Sequence, residues 1–413
     1  MLPHHWVRCS YWRYSDGCDL ALEHPDGLHL TIAYCHRTFK TNSASYQYRS
    51  RQMQLDPNKR YLLSRPCGGF NDALVQLEKS RLYAVQYSRI LILDMSRSGL
   101  HQQLDRYFTT REDFGCEIIH WRDDMAEALD AATSVKPHAL RHRISSYTVK
   151  YNREIKTRCD KETGTPVLFD HGKDHSEHVL VYEQSGGGFA SFQLLQRLTL
   201  QPDIAETILS RIEALDPGYD AVHIRHSDYK TNFAKFLSNL RSVLKNRRVL
   251  ICSDSATAKD TAQKILHPST TVLSVSDTPD MKGKPLHRSL GLDWDSVNTD
   301  MLTDLFALAA SDSLFFSRLS KEHRTSVTVS GFSLLSDLLH HNRDVVKDLF
   351  SALETERVAR VFDEKPENIP WLRRYHLLMV YLWNFEAKRK AALRNKQASP
   401  RRPKPENLPP KMR

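Results

Sequence analysis

The feature of this 413-residue chain that most constrains its fold is a repeated order of short apolar strands and helical stretches. The segment Tyr61-Leu62-Leu63 leads through Cys67-Gly68-Gly69-Phe70-Asn71 into a stretch with helical periodicity, and the apolar run 90–93 follows it. Strands that are apolar on both faces must be covered by helices on both sides, which is typical of parallel sheets. The sequence therefore predicts the α/β class.

A second block with the same order begins at Val179. Its predicted strands lie at 179–183, 221–224, 248–252, 271–275 and 314–316, and its predicted helices at 204–215, 233–244, 256–266 and 301–310. Two such blocks predict two α/β lobes that face a cleft. The predicted units are an N-terminal lobe at 61–215, a second lobe at 216–340 and C-terminal helices at 341–386, preceded by an extension of no clear period at 1–60.

The helix that follows Phe70 is predicted to be amphipathic. One half of its helical wheel holds apolar residues, namely Leu74, Val75, Leu77, Leu82, Ala84 and Val85. The opposite half holds Gln76, Lys79 and Tyr83. This pattern favours burial of the first set and exposure of the second.

The positive charge of the chain is concentrated at its carboxyl end. The chain has 59 basic and 49 acidic residues, but residues 387–413 alone hold ten Lys or Arg against one acid, Glu406. Because the remainder is close to neutral, a nucleic-acid partner is not expected. The five prolines and few apolar residues of this tail predict disorder, and it is either a solvated end or a segment attracted to an anionic membrane surface.

Two further patterns bear on localisation. The longest nearly apolar run, 377–385, is shorter than the ~20 residues of a membrane-spanning helix, and residues 1–14 lack the apolar core of a secretory signal. The seven cysteines form no CxxC pair, which fits reduced thiols. We expect a cytoplasmic protein. If the tail is the segment attracted to lipid, it contacts the inner membrane face peripherally.

The segment His223-Ile224-Arg225-His226-Ser227-Asp228 follows a predicted strand, at the edge where open α/β sheets bind ligands. Alternation along the strand puts His223 and Arg225 on one face. The guanidinium fork of Arg225 suits a phosphate, and Lys230 adds a positive charge. The alternative is a surface ion pair between Arg225 and Asp228.

Two other patterns of the sequence resemble ligand sites. His171, His175 and His178 could bind zinc if one helix held all three, whereas Gly172 and the nearby charges favour a solvated loop. The glycines at 186–188 follow a strand but lack the Lys-Ser/Thr of a P-loop, which favours a loop at the cleft.

Four blocks of the sequence, taken in their order along the chain, resemble one known family. They are Gly68-Gly69-Phe70-Asn71, the segment from Leu200 to Asp228 that ends in the HxR motif, the strand 249–254 that ends in Ser-Asp, and the segment 304–317. In this order they resemble the GDP-fucose-dependent fucosyltransferase superfamily, which includes α1,2-, α1,6- and protein O-fucosyltransferases and bacterial nodulation fucosyltransferases. The resemblance covers about residues 61–340.

The resemblance implies a GT-B-like enzyme with two Rossmann-like lobes. The nucleotide-sugar donor would bind the C-terminal lobe and the acceptor mainly the N-terminal lobe. Transfer would invert the anomeric carbon and would require no metal and no cofactor.

The resemblance also assigns roles by position. Arg225 would hold the donor diphosphate, and His223 would shape the same pocket. The other implied donor residues are Asp254 and Ser255 near the nucleotide, Asp304 at the guanine, and Ser317 or Ser320 at the phosphate oxygens. The implied acceptor-side residues are Gly68, Gly69, Phe70 and Asn71. His226 stands where many relatives have a second Arg.

The proton acceptor stays open at the level of the sequence. An inverting transfer benefits from a carboxylate that takes the proton of the acceptor hydroxyl. Asp72, Glu183 and Asp228 are the candidates.

We therefore predict transfer of fucose from GDP-fucose to a carbohydrate acceptor, which is a glycan, a lipopolysaccharide or an oligosaccharide. Transfer from another GDP-linked sugar is one alternative. A catalytically silent protein that binds nucleotide or carbohydrate is the other.

Overall fold

The structure is a computed structural model that describes residues 54–279, 281, 291–320 and 329–363, together with 371 and 378. The predictions for most of the extension 1–60, for the second half of the helices at 341–386 and for the tail 387–413 lie outside the described residues.

Strands and helices are numbered in chain order. The strands are β1 Tyr61–Ser64, β2 Ile90–Leu93, β3 Phe108–Thr110, β4 Ile118–His120, β5 Val135–Lys136, β6 Val149–Asn152, β7 Thr157–Asp160, β8 Val179–Tyr182, β9 Leu198–Leu200, β10 Asp220–Ile224, β11 Arg248–Ser253, β12 Thr271–Leu273 and β13 Leu314–Phe316. The helices are α1 Phe70–Gln86, α2 Ala126–Asp130, α3 Ala190–Leu195, α4 Pro202–Glu213, α5 Phe233–Leu240, α6 Ala256–Leu266, α7 Trp294–Ala310, α8 Gly331–His341, α9 Arg343–Leu349 and α10 Thr355–Phe362. Among the described residues, none of these helices combines the length and the hydropathy needed to cross a bilayer.

The strands form two parallel sheets. The first has the order β4-β2-β1-β8-β5, and the second has the order β12-β11-β10-β13. β3 pairs antiparallel with β9, and β6 pairs antiparallel with β7. Two parallel sheets with helices on their faces confirm the predicted α/β class with two lobes, whereas the lobe boundaries stay predictions.

The register of each sheet brings the carboxyl ends of its strands to one edge. Leu63 of β1 lies opposite Ile92 of β2 and Val181 of β8. In the second sheet, His223 of β10 lies opposite Cys252 of β11 and Phe316 of β13. The residues that follow these strands therefore meet, which places the candidate site residues together.

Alternate residues of the strands enter different apolar layers, as the two-residue period requires. Leu62, Leu91 and Leu180 belong to a cluster that continues through α4, α7 and α8 to Leu250 and Phe316 of the second sheet. Their neighbours form a second cluster on the other face of the first sheet, which includes Leu63, Ile92, Val181, Met125 and Leu140. One apolar layer is thus shared by both sheets.

The first helix differs from its predicted amphipathic pattern. Gln76 and Tyr83 are 1% and 2% exposed, whereas Leu82 and Val85 are 52% and 41% exposed. The first sheet, α3 and α8 contact this helix from more than one side. Its buried residues are therefore not confined to one apolar face. The carboxamide of Gln76 is satisfied inside the protein, because it accepts from the Tyr182 hydroxyl at 2.7 Å and donates to the Gly186 carbonyl at 2.5 Å.

Candidate functional site

Arg225 follows β10 and is held by two carboxylates. Its Nη2 atom lies 2.5 Å from Oδ1 of Asp228, and its Nη1 atom lies 2.8 Å from Oδ2 of Asp254. The ion pair given above as an alternative is therefore present, and Asp254 extends it. The Arg225 side chain stays 23% exposed, so the two ion pairs do not enclose it completely.

Asp254 also fixes the turn that presents Arg225. Its Oδ1 atom accepts from the backbone N–H of His226 at 2.7 Å, and Ser227 donates its hydroxyl to Oδ2. A carboxylate at the end of β11 thus sets the backbone that follows β10. Nothing in the local sequence around Arg225 indicates these contacts of Asp254, which join residues 27 to 29 positions apart.

His223 is buried and neutral at ordinary pH. Its Nδ1 atom lies 2.6 Å from the hydroxyl of Ser333, and its ring centroid lies 5.0 Å from that of Phe332. Burial lowers the pKa of His223 to about 4. The imidazole therefore connects β10 to the first turn of α8 without adding positive charge next to Arg225.

Two hydroxyls beside this motif have no partner in the part of the chain that the structure describes. Ser317 follows β13, next to β10, and its backbone N–H donates to the His223 carbonyl at 3.2 Å. The buried Oγ atoms of Ser317 and Ser320 have no hydrogen-bond partner among the described residues. Since an unsatisfied buried hydroxyl costs free energy, both are suited to donate to a ligand that binds at this edge.

Asp304 projects from α7 toward the ends of β11 and β12. It accepts from the Ser276 hydroxyl at 2.6 Å, and Nζ of Lys259 donates to the Ser276 carbonyl at 2.9 Å. Burial raises the pKa of Asp304, and the positive charge of Lys259 opposes this shift. Ser276 and Lys259 were not predicted as site residues, because no motif of the sequence contains them.

Ser255 has a local structural role. Its hydroxyl caps α6 by accepting from the backbone N–H of Ala258 at 3.3 Å. Ser255 and Asp254 both follow β11, so the predicted nucleotide-side residues lie between Arg225 and Asp304 along the sheet edge.

The predicted glycine loop connects β1 of the first sheet to the start of α1. Gly68 has φ +101°, and a Cβ atom there would lie 2.9 Å from Cβ of Asp72, so the conformation and the space both require glycine. Phe70 is a buried core residue that stacks on Phe108, with 6.4 Å between ring centroids. Asn71 is buried, and its Oδ1 atom accepts from the Ser191 hydroxyl at 2.7 Å.

Asp72 lies where the loops of the two sheets meet. Burial raises its pKa, the charge of Arg225 opposes the shift, and the charge of Asp228 adds to it. A Cβ atom at Gly187 would lie 2.6 Å from Oδ1 of Asp72, so the loop after β8 passes close to this carboxylate. Asp72 is therefore partly exposed, and it lies near residues that follow strands of both sheets.

Glu183, the other candidate on the first sheet, is enclosed. It is 1% exposed and pairs with Arg97 at 3.0 Å, and the thiol of Cys67 lies 3.5 Å from its Oε1 atom. Arg97 in turn lies over the ring of Tyr147 at 4.8 Å. The carboxylate thus belongs to a buried polar network behind the glycine loop.

The three histidines do not form a metal site. They lie in a loop, and each bonds a different backbone carbonyl, His171 that of Phe169, His175 that of Asp170 and His178 that of Asp56. The shared helix that the zinc alternative requires is therefore not formed by these residues. The loop is also less solvated than expected, because His175 is 5% exposed. Within the described ranges, no group of three His, Cys, Asp or Glu side chains is arranged to hold a metal ion.

No protein-family model matches the chain, and no curated protein matches it. Among solved structures, it is similar to the fucosyltransferase NodZ from Bradyrhizobium, with a TM-score of 0.45, 18% identity, and coverage of 68% of this chain and 93% of that one. A NodZ alpha-1,6-fucosyltransferase soaked with GDP-fucose matches with a TM-score of 0.45 and 19% identity over 68% and 92% of the two chains. POFUT1 in complex with GDP matches with a TM-score of 0.41 and 14% identity over 76% and 97%.

Proposed function

We propose that this protein is an inverting glycosyltransferase that moves fucose from GDP-fucose to a carbohydrate acceptor. The observation that supports this best is the placement of Arg225 and two buried hydroxyls after the neighbouring strands β10 and β13. The hydroxyls, those of Ser317 and Ser320, have no hydrogen-bond partner among the described residues. Such a set of donors suits a diphosphate.

The chemistry requires charge stabilisation at the leaving group. When the bond between the sugar and the diphosphate breaks, negative charge develops on the diphosphate oxygens. Arg225 supplies a permanent positive charge there, and the two serine hydroxyls donate hydrogen bonds. Asp228 and Asp254 engage one N–H on each Nη atom, so Nε and the second N–H of each Nη stay available to the donor.

Asp304 suits the base of the nucleotide. A carboxylate accepts hydrogen bonds from the N–H groups on the edge of guanine, and Asp304 lies at the end of the strand row farthest from Ser317. The diphosphate would then extend past Asp254 and Ser255 toward Arg225.

We assign the proton acceptor to Asp72. Glu183 is enclosed and paired with Arg97, and Asp228 is paired with Arg225. Among the described residues, Asp72 has no such ion pair, and it faces Arg225 from the opposite sheet. A carboxylate with a raised pKa is a stronger base toward a hydroxyl than an ordinary one.

The test begins with donor specificity. Purified protein is titrated with GDP, GDP-fucose, GDP-mannose and UDP-linked sugars by calorimetry, and GDP release is then followed with a panel of carbohydrate acceptors. We expect GDP-linked ligands to bind and GDP-fucose to be consumed. If no GDP-linked ligand binds, the proposed function is wrong, and consumption of GDP-mannose alone would assign another donor.

Arg225→Ala tests the central residue. We expect turnover to fall by about 10²–10³, since one charge-assisted contact to the leaving group contributes ~2.7–4 kcal/mol in the transition state. Arg225→Lys should also be poor, because a point charge cannot replace a planar fork. Arg241→Ala, which removes an exposed arginine of the same lobe, is the matched control. Near-normal turnover in Arg225→Ala would contradict this assignment.

A catalytically silent GDP-binding protein is the second candidate. It is favoured by the two carboxylates that already hold Arg225. Such a protein would bind GDP in the same titration and would never consume GDP-fucose with any acceptor or with water.

A further inference from the structure

The hairpin of β6 and β7 carries an unusual surface. Its turn, residues 153–156, is exposed throughout. Two large apolar side chains, Tyr151 and Ile155, are 52% and 55% exposed on this one short element. An apolar side chain at the tip of a projecting hairpin contributes nothing to the core of the protein.

The same tip is positively charged. Lys150, Arg153 and Lys156 are exposed, and Glu154 is the single acid between them. The acids that follow, Asp160 and Glu162, are both paired with Arg143, at 2.8 and 2.6 Å. The tip therefore presents a net positive charge around two exposed apolar groups.

The hairpin is held in this conformation. The side chain of Asn152 accepts from the backbone N–H groups of Glu154 and Ile155 at 2.9 and 3.4 Å, which fixes the turn. At the base, Gln184 accepts from the Thr157 hydroxyl and from the Arg158 backbone N–H at 2.9 and 3.0 Å. Gln184 is only 8% exposed and lies two residues after the end of β8. The hairpin is therefore anchored to the first sheet, and little conformational entropy remains to be lost when it binds.

We propose that this hairpin docks the protein on an anionic lipid bilayer. Ile155 and Tyr151 enter the interfacial region, and the three basic side chains lie at the level of the headgroups. Basic residues are attracted to the negative surface potential of such a membrane, and amphipathic rings prefer the interface. A soluble polyanion would be bound by the charges alone, so the exposed isoleucine favours a lipid surface. None of these hairpin residues is among the proposed donor or acceptor residues, so the inference does not depend on the proposed function.

Vesicle binding tests the inference. The full chain is sedimented with vesicles of phosphatidylcholine alone and with vesicles of equal parts phosphatidylcholine and phosphatidylserine. We expect binding to the second kind only, about tenfold weaker for Ile155→Ser and weaker by more than about tenfold for the double variant Lys150→Glu, Lys156→Glu. Leu82→Ser, which removes an apolar side chain of similar exposure on α1, and Lys245→Glu, which reverses an exposed lysine, should bind like the wild type.

A heparin column separates lipid insertion from general attraction to polyanions. Ile155→Ser should elute with the wild type, whereas the double charge variant should elute earlier. Thermal unfolding of each variant checks that it is folded. The inference is overturned if the wild type does not bind the anionic vesicles, or if Ile155→Ser binds them as well as the wild type does, which would assign binding to another part of the chain such as the basic tail. Donor titrations are unaffected by either result, so a failure here is distinct from a failure of the proposed function.

Discussion

At the scale of single residues, one side chain of the candidate site carries the positive charge and other side chains hold it in position. Arg225 supplies the charge, and Asp254 holds both that guanidinium and the backbone of the following turn. His223 is kept neutral by burial. Arg225 therefore presents its positive charge in a fixed orientation, and a fixed orientation stabilises a developing anion without reorganisation.

Asp72→Asn tests the proposed base. We expect turnover to fall by about 10²–10⁴, because the amide cannot accept the proton, with GDP affinity nearly unchanged. In the wild type, the rate should fall as the pH drops through the raised pKa of Asp72. Steady-state kinetics across pH give both results, with Asp260→Asn, an exposed carboxylate on α6, as the control. A variant that keeps wild-type turnover would return the choice to Asp228 or Glu183.

His223→Asn tests the buried imidazole through stability. The pKa of His223 is lowered from 6.5 to about 4 in the folded protein, so its contribution is present above pH 6.5 and is lost as the pH falls toward 4. Between about pH 7.5 and about pH 5, the wild type should lose roughly 1–2 kcal/mol that the variant does not lose. Urea unfolding at both pH values measures this, with the exposed His138→Asn as control. Equal pH dependence in wild type and His223→Asn would show that the imidazole is not desolvated.

At the scale of elements, α1 and α8 are packed so closely that glycine is required at their contact. A Cβ atom at Gly331, the first residue of α8, would lie 2.5 Å from Nδ2 and 3.1 Å from Cγ of Asn71. Asn71 is buried and bonded to Ser191, so it cannot move aside without losing that bond. The first turn of α8 also carries Ser333, the partner of His223, so this contact connects the glycine loop to the candidate donor site.

Gly331→Ala should therefore destabilise the protein by about 1–3 kcal/mol, although alanine in a helix is otherwise favoured over glycine. Gly69→Ala is the matched control, because no atom lies within 4 Å of its Cβ position and its φ of −68° is ordinary. Denaturant unfolding compares the two variants. Equal stability would mean that α1 and α8 can separate slightly at no cost.

At the scale of the whole molecule, the proposed donor site neutralises a diphosphate with an arginine and hydroxyls, so we expect the initial rate to persist in excess EDTA. The melting temperature should also stay constant, because the three histidines bond backbone carbonyls rather than a common centre. Both quantities are measured in one chelator series. A loss of rate at unchanged melting temperature, restored by Mg²⁺ or Mn²⁺, would show that the transfer needs a metal, and a fall in both restored by zinc would indicate a structural ion.

The sequence by itself determined the main strands and the position of Arg225. A run such as 90–93 is apolar on both faces, and a covered parallel strand buries both faces at once. Because carboxyl ends of parallel strands meet at one edge, the order of the chain also placed Arg225, Asp254 and Ser317 together. These features depend on local patterns of a few residues, which a sequence shows directly.

The tertiary structure alone decided the rest. The burial of Gln76 and Tyr83 depends on the elements around α1, and the pairing of Arg225 with Asp254 joins residues 29 positions apart. The proposal of Asp72 as the proton acceptor likewise depends on the cations that already pair with Glu183 and Asp228. The strands between 108 and 160 have two to four residues that mix polar with apolar side chains, whereas the equally short strand 90–93 is apolar throughout and is therefore visible in the sequence. Local periodicity determines which elements form, whereas burial and charge pairing depend on residues that only the folded chain brings into contact.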